Sequence, residues 1–161
     1  MSEDPHHLSR FVDAQRAGWP TALAELKAGR KRSHWMWYIF PQAAGLGHSP
    51  TAIHYAIRSA AEARAYLAHP LLGSRLREAA EALLAHRGTS AEAILGGIDA
   101  LKLRSSMTLF AALADSPAPY RPILDSFFGG ADDPRTLAFL QEDGAATSPP
   151  PGPTCAGSPR E

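Results

Sequence analysis

Apolar residues recur every three or four positions along most of the chain, which is the spacing of one face of an α-helix. Between the predicted helices no apolar–polar alternation and no hairpin dipeptide indicates a strand. The spacing over residues 8–15 predicts a first helix, with Asp4 as its N-cap and an end near Gly18. Pro20 predicts the start of a second helix, which Gly29 ends.

Start signals precede most of the remaining helices. They are Ser49-Pro50, His69-Pro70, Asp99, Asp133-Pro134 and the capping boxes Ser59-x-x-Glu62 and Thr89-x-x-Glu92. Asp99 would cap a helix over 100–115. The helix after His69-Pro70 would end at Gly88, one helix would span 120–128, and the last would end at Gln141.

These elements predict an all-α fold, namely a compact single-domain orthogonal bundle of about eight short helices over residues 1–143. Residues 144–161 are rich in Pro, Gly, Ser and Thr with almost no apolar residue, so we expect a disordered tail.

One stretch, Arg-Lys-Arg-Ser-His-Trp-Met-Trp-Tyr-Ile-Phe-Pro-Gln over 30–42, stands apart from this pattern. Six consecutive bulky residues fit either a strand, with Trp35 and Trp37 on one face, or a short helix that groups Trp35 with Tyr38 and Ile39. Pro41 ends any such helix at the residue before it.

Composition narrows the classes of function. Sixteen Lys and Arg balance sixteen Asp and Glu, and this zero net charge argues against a general nucleic-acid binder but allows a local anion site. The single cysteine, Cys155, excludes a disulfide within the chain and a cysteine-based metal site. Because no metal-ligand motif and no phosphate-binding glycine loop occurs, we predict no metal and no cofactor.

Without a signal peptide or an apolar run of about 20 residues, we expect a cytoplasmic protein that does not cross a membrane.

The 30–42 stretch carries the first group of candidate site residues. His34 is a candidate acid or base. The other candidates are cations that could hold an anion, indoles that could stack on a ring and an amide that could orient a ligand: Lys31, Arg32, Trp35, Trp37 and Gln42. The alternative is a solvated charge cluster after a helix, followed by aromatic residues that anchor the core.

The start of the Asp99 helix carries the second group. Asp99, Lys102 and Ser106 lie at i, i+3 and i+7 and share a helix face, with Ser105 beside them. Asp99 is a second candidate acid or base, and the other three could line a polar cleft. The alternative is an N-cap, an ordinary surface ion pair and solvent-facing serines.

The 30–42 stretch resembles the signature of a bacterial family of domains of unknown function that genome labels often call calpastatin. Three further segments are similar to the same family: Ala63-x-x-Tyr66-Leu67-x-His69-Pro70-x-Leu72-Gly73, the run from Asp99 to Phe110, and Phe128-Gly129-Gly130. The resemblance covers about residues 8–142 and implies a compact all-α domain without an established activity. Calpastatin-type inhibitors are long disordered chains, which this apolar periodicity does not fit. Helix order and a few Trp, Lys and Gly-Asp positions also resemble small helical N-glycosidase-like proteins linked to ADP-ribose and riboflavin-pathway metabolites.

Together these features predict a cleft between residues 31–42 and the Asp99 helix. We expect it to bind a small anionic, ring-bearing metabolite such as a nucleotide or nucleotide-sugar. If the protein is an enzyme, His34 and Asp99 would assist hydrolysis of a glycosidic or phosphoester bond. The alternative is a non-catalytic protein-interaction module with an exposed aromatic patch.

Overall fold

The computed structural model describes residues 4–116 and 118–147, which form nine α-helices and one isolated β-bridge. The helices are α1 (Ser9–Ala28), α2 (Met36–Ile39), α3 (Pro50–His54), α4 (Ala60–Ala68), α5 (Pro70–Leu84), α6 (Ala91–Leu95), α7 (Gly97–Leu113), α8 (Tyr120–Phe128) and α9 (Pro134–Thr147). The predicted all-α fold is confirmed.

Helix α7 is the centre of the bundle. It packs against α4, α6, α8 and α9, and the six consecutive residues 105–110 are all buried. Six consecutive residues cover more than one full turn, so a helix that buries all six must be surrounded by other helices. Helix α1 packs against α5 and α2 on the other side of the same core.

Helix α1 is continuous, so the prediction of a helix end near Gly18 and a new start at Pro20 is wrong. Phe11 and Ala22 are both buried on its inner face, and this packing carries the helix through a proline that would cost about 3 kcal/mol in isolation. Gly18 has another reason to be glycine, because a Cβ there would lie 2.2 Å from the hydroxyl oxygen of Tyr38.

The start of α1 also differs from the prediction. The helix begins at Ser9, several residues after Asp4. The carboxylate of Asp4 nevertheless accepts hydrogen bonds from the N–H groups of Leu8 and Ser9, at 2.6 and 2.9 Å. It therefore satisfies donors at the helix start from outside the N-cap position.

Side-chain caps lie where the local pattern predicts them at three helices. Ser49 accepts from the N–H of Ala52, Ser59 from that of Glu62, and Asp133 from that of Thr136. These caps depend only on residues three positions apart, so the sequence is sufficient to locate them.

Besides Asp4, two predicted caps are wrong. Helix α6 is capped by Ser90, whose hydroxyl accepts from the N–H of Ala93, and not by Thr89. Helix α7 begins at Gly97, so Asp99 lies inside its first turn and does not cap it. The carboxylate of Asp99 is consequently available for contacts with other side chains.

The aromatic run contains the short helix α2. Of the two alternatives for this run, a strand or a short helix, the structure has the helix. Its C-cap, Phe40, has φ −125° and ψ 77°, outside the α region, so the helix ends just before Pro41 as predicted. The loop that follows is fixed by a parallel bridge between Ala43 and Ile57, in which the N–H of Ile57 donates to the carbonyl of Gln42 at 2.8 Å.

Three helix ends lie away from their predicted positions. Helix α7 ends at Leu113, before the predicted end at residue 115. Helix α5 ends at Leu84, and turns lead to Gly88. Helix α9 continues to Thr147, past both the predicted end at Gln141 and the predicted domain boundary at residue 143. The rest of the predicted disordered tail, 148–161, lies outside the described residues.

Candidate functional site

The segment that follows α1 is folded around the carboxylate of Glu25. This carboxylate accepts hydrogen bonds from the N–H groups of Arg32 and Ser33, at 2.7 and 3.0 Å, and from Ser33 Oγ and Trp35 Nε1, at 2.6 and 2.9 Å. Burial raises the pKa of Glu25, but these four hydrogen bonds outweigh burial and lower the pKa to about 2. The cationic segment is therefore an ordered turn.

Two of the predicted ligand-binding side chains from this segment lie away from the clefts described below. The side chain of Trp35 belongs to the core, since the residue is 1% exposed and its ring lies 6.5 Å from that of Phe40. It has no free face on which a ligand ring could stack. Arg32 is exposed and lines a separate shallow hollow beside α1 with Ala24 and Arg30.

Two lysines share the carboxylate of Asp99. Lys31 Nζ lies 2.8 Å from Asp99 Oδ2, and Lys102 Nζ lies 3.3 Å from Asp99 Oδ1. Lys31 Nζ also donates to the carbonyl of Ser33, and the Lys31 N–H donates to the carbonyl of Ile94 at 2.8 Å. Lys31 is thus fixed in place, with a side chain that is 9% exposed against 20% for Lys102.

Lys102 also lies over the ring of Trp37, with Nζ 4.2 Å from the ring centroid. Trp37 is half-buried, and two clefts adjoin it. We call the cleft of about 490 Å³ the major cleft and the cleft of about 390 Å³ the minor cleft. Trp37, Ile98 and Lys102 line both, and the minor cleft is also lined by Lys31, His34 and Asp99.

Two arginines that line the major cleft bind only backbone carbonyls among the described residues. Arg104 donates from Nε to the carbonyl of Ala131 at 3.1 Å and from Nη2 to that of Asp132. Arg135 donates to the carbonyls of Gly45 and Leu46, at 3.2 and 3.4 Å. Neither guanidinium forms an ion pair with a carboxylate in the described part of the chain. Their charges therefore remain available to an anion.

The carboxylate of Asp133, which lines the major cleft, already accepts hydrogen bonds from neighbouring side chains. Asp133 Oδ2 accepts from Ser105 Oγ at 2.9 Å and from Thr136 Oγ1 at 2.5 Å. Burial raises the pKa of Asp133, but these hydroxyls and the N–H of Thr136 lower it overall, so the group stays ionised at neutral pH. The N–H of Asp133 donates to Thr108 Oγ1 at 2.9 Å, which attaches the start of α9 to α7.

Ser106 lies in the core. It is 0% exposed, and its hydroxyl is the one buried side-chain polar atom of the described residues without a hydrogen-bond partner. Asp99, Lys102 and Ser106 share a helix face as predicted, but only Asp99 and Lys102 reach a cleft, because Ser106 is buried in the bundle. A ligand in either cleft would not contact this hydroxyl.

The family described as "Protein of unknown function (DUF1810)" matches residues 5–140. The chain belongs to the DUF1810 family. The crystal structure of the conserved hypothetical protein Rv1873 from Mycobacterium tuberculosis is similar to it, with 49% identity, a TM-score of 0.84, and coverage of 86% of this chain and 99% of that one. No curated protein matches the chain. The predicted resemblance to a bacterial family of unknown function is thus confirmed.

In this DUF1810 chain, most of the predicted site residues come together around Trp37. Lys31, His34, Trp37, Asp99 and Lys102 line the minor cleft, and Trp37, Gln42, Lys102 and Ser105 line the major cleft. Arg32, Trp35 and Ser106 line neither. The two predicted groups of residues, one from 30–42 and one from the start of α7, are therefore neighbours in space.

Three residues of the major cleft in this DUF1810 domain were missing from the prediction. Arg104, Arg135 and His48 come from α7, α9 and the loop before α3. Arg104 lies between Leu103 and Ser105, within reach of the same sequence argument that indicated Lys102. Nothing in the local sequence of Arg135 or His48 relates either residue to Trp37, because only the fold places them together.

The described part of this DUF1810 chain has no helix long and apolar enough to cross a membrane. Within the same residues, no three His, Cys, Asp or Glu side chains cluster in a way that could hold a metal ion.

Proposed function

We propose that the two clefts around Trp37 bind a small anionic metabolite that carries a flat ring, such as a nucleotide or nucleotide-sugar. The observation that carries the proposal is the local charge. Four cations line the two clefts, Lys31, Lys102, Arg104 and Arg135, against the two carboxylates of Asp99 and Asp133. This local excess occurs in a chain whose net charge is zero. Planar guanidinium groups suit phosphate and carboxylate oxygens, and each cleft has the volume of a small-molecule site, about 300–1,000 Å³.

The ring would lie against Trp37. The ammonium of Lys102 now covers this indole while it pairs with Asp99 at 3.3 Å, the longer of the two lysine contacts to that carboxylate. An incoming anion offers Lys102 an alternative partner. Displacement of Lys102 would expose the indole to the ring of the same ligand, and Lys31 would keep Asp99 in place.

Hydrolysis of a glycosidic or phosphoester bond is the reaction that we propose if the bound metabolite is a substrate. His34 and Asp99 line the minor cleft together, and both can exchange protons with a reacting group. The reaction is tested by incubating any compound that binds with the wild type and with His34→Ala. Equal turnover by the two proteins would exclude a catalytic His34.

The binding experiment uses tryptophan fluorescence and thermal shift with four probes: ADP-ribose, AMP, ribose 5-phosphate and neutral adenosine. We expect the anionic probes with a ring to stabilise the wild type and to quench its fluorescence. Trp37→Phe should lose the quenching, whereas the matched control Trp19→Phe should keep it. Arg135→Gln and Lys102→Met should each weaken binding by about tenfold or more, the loss of one charged hydrogen bond.

The proposal is abandoned if no anionic probe stabilises the wild type more than it stabilises Lys102→Met. The competing proposal is a protein-interaction surface, which two exposed apolar side chains at the same clefts favour: Ile98 is 75% exposed and Leu101 63%. The aromatic run itself does not supply such a patch, since Trp35 and Phe40 are buried. A docking surface of this kind predicts no stabilisation by any of the four probes.

A further inference from the structure

A further cavity lies at the opposite end of α7 from the Trp37 clefts. It has a volume of about 600 Å³ and lies where α4 and α7 end and where α5 and α8 begin. The 17 residues of α7 span about 25 Å at 1.5 Å per residue, and no residue that lines this cavity lines the major or the minor cleft. We call it the α4–α5 cavity.

Two guanidinium groups line the α4–α5 cavity from adjacent helices. Arg64 comes from α4 and Arg77 from α5, and both residues are exposed. Neither forms an ion pair with a carboxylate of the described residues, including Asp115, which lines the same cavity. Tyr120 also lines the cavity, and burial raises its pKa, while the charge of Arg77 lowers it and the charge of Glu81 raises it further.

A third donor comes from the histidine that begins α5. His69 Nδ1 accepts hydrogen bonds from the N–H groups of Leu71 and Leu72, at 3.1 and 3.2 Å. An Nδ1 that accepts cannot carry the proton, so the neutral ring is protonated at Nε2 and donates there. His69 lines the cavity, as does the hydroxyl-bearing Ser74 one turn into α5.

The backbone at the junction of α4 and α5 is closely packed. The N–H of Gly73 donates to the carbonyl of His69 at 2.9 Å, and a Cβ on Gly73 would lie 2.2 Å from the carbonyl oxygen of Leu67. The start of α5 is therefore pressed against the end of α4. The Leu67-x-His69-Pro70 motif that stands out in the sequence forms this junction.

We propose that the α4–α5 cavity is a second ligand site, which binds a small organic phosphate monoester. The phosphate would lie between Arg64 and Arg77, and His69 Nε2–H would donate to it. A planar carboxylate presents two oxygens and suits one guanidinium fork. A phosphate presents three terminal oxygens and can use two forks and a further donor together. Leu67 of α4 and Leu113 of α7 also line the cavity and would contact the organic part of the ligand.

The experiment is a titration of the isotope-labelled protein followed by amide chemical shifts. The probes are phenyl phosphate and, as a match in size and ring, benzoate. We expect phenyl phosphate to give saturable shifts at the amides of Ser74, Leu113 and Tyr120, with at least tenfold tighter binding than benzoate. Arg64→Gln and Arg77→Gln should each weaken phenyl phosphate binding at these amides at least tenfold.

Two matched variants keep the result specific. Arg87→Gln removes the same charge from an exposed residue outside the cavity and should leave the affinity unchanged. Arg135→Gln, in the major cleft, should also leave the shifts at Ser74 and Tyr120 unchanged, which separates this site from the one around Trp37. Absence of saturable shifts at the three amides would overturn the proposal. So would equal weakening by Arg87→Gln and Arg77→Gln, because that result indicates general charge attraction only.

Discussion

Glu25 determines the shape of the turn from which Lys31 and His34 emerge. Its carboxylate accepts four hydrogen bonds from a segment seven to ten residues further along the chain. A neutral carboxylic acid or an amide cannot accept all four. The position of Lys31 beside Asp99 therefore depends on a residue that belongs to neither cleft.

The lowered pKa of Glu25 predicts a pH dependence of stability. Because the folded-state pKa of about 2 lies below the ordinary value of 4.5, the unfolded chain binds the proton more readily. The stabilisation from Glu25 is then fully present above pH 4.5 and is lost as the pH falls from 4.5 towards 2. Urea unfolding across this range should show a smaller pH dependence for Glu25→Gln than for the wild type.

Glu92→Gln is the matched control, since it removes a carboxylate from an exposed position on α6. Asp133 and Asp4 also have lowered pKa values and contribute to the acid dependence of all three proteins equally. The informative quantity is the difference between wild type and variant. If Glu25→Gln and the wild type lose stability in parallel below pH 4.5, the ionised carboxylate is not what stabilises the turn.

At the scale of the helices, α1 and α2 approach each other closely at Gly18. Gly18 on α1 leaves space for the ring and hydroxyl of Tyr38 on α2, with ring carbons 2.9 Å from where a Cβ would stand. A glycine inside a helix lowers its stability by about 1 kcal/mol relative to alanine. The approach of α2 to α1 offsets that loss.

We therefore predict opposite effects of Gly18→Ala in two backgrounds. In the wild type the new methyl group should clash with Tyr38 and cost about 1–3 kcal/mol, as overpacking usually does. In a Tyr38→Ala background the same change should stabilise the protein by up to about 1 kcal/mol through helix propensity. Denaturant unfolding of the four proteins of this cycle gives both values. Effects of the same sign in both backgrounds would show that the contact between Gly18 and Tyr38 is not limiting.

The helices also show which features a sequence can reveal. Ser59 and Asp133 cap their helices as predicted because a cap involves residues only three positions apart. The break predicted at Pro20 is wrong because burial of residues on both sides of it outweighs the local cost. Trp35 and Trp37 are alike in the sequence, yet Trp35 belongs to the core and Trp37 lines both clefts. The path of the preceding turn decides which indole points inward, and the local sequence does not reveal that path.

At the scale of the whole molecule, a buried ion pair connects the first turn of α1 to α4. Arg10 and Glu62 lie 2.5 Å apart, with side chains 2% and 3% exposed. The same guanidinium donates to the carbonyls of His6, His7, His54 and Ala56. Every donor direction of Arg10 is used, which is what a buried charge requires.

Loss of this guanidinium should destabilise the protein strongly. Arg10→Ala leaves Glu62 as an uncompensated buried charge, and we expect a loss of about 3–5 kcal/mol in the free energy of unfolding. Arg16→Ala is the control on the same helix. Its pair with Asp13 is 74% and 65% exposed, and such pairs contribute about 0–1 kcal/mol. Urea unfolding measures the free energy of unfolding of both variants. Comparable losses in the two would contradict a strong contribution from the buried contacts of Arg10.

The major cleft takes its walls from residues that are far apart in the sequence. Trp37 and Gln42 come early, Lys102 and Arg104 come from α7, and Arg135 belongs to the last described helix. During synthesis on the ribosome the chain emerges from its N-terminus, so the earlier walls leave the exit tunnel first. A nascent chain arrested before α9 is exposed would lack the arginine that holds the 45–46 carbonyls. The ligand binding that we propose for this cleft therefore requires α9 to have left the exit tunnel.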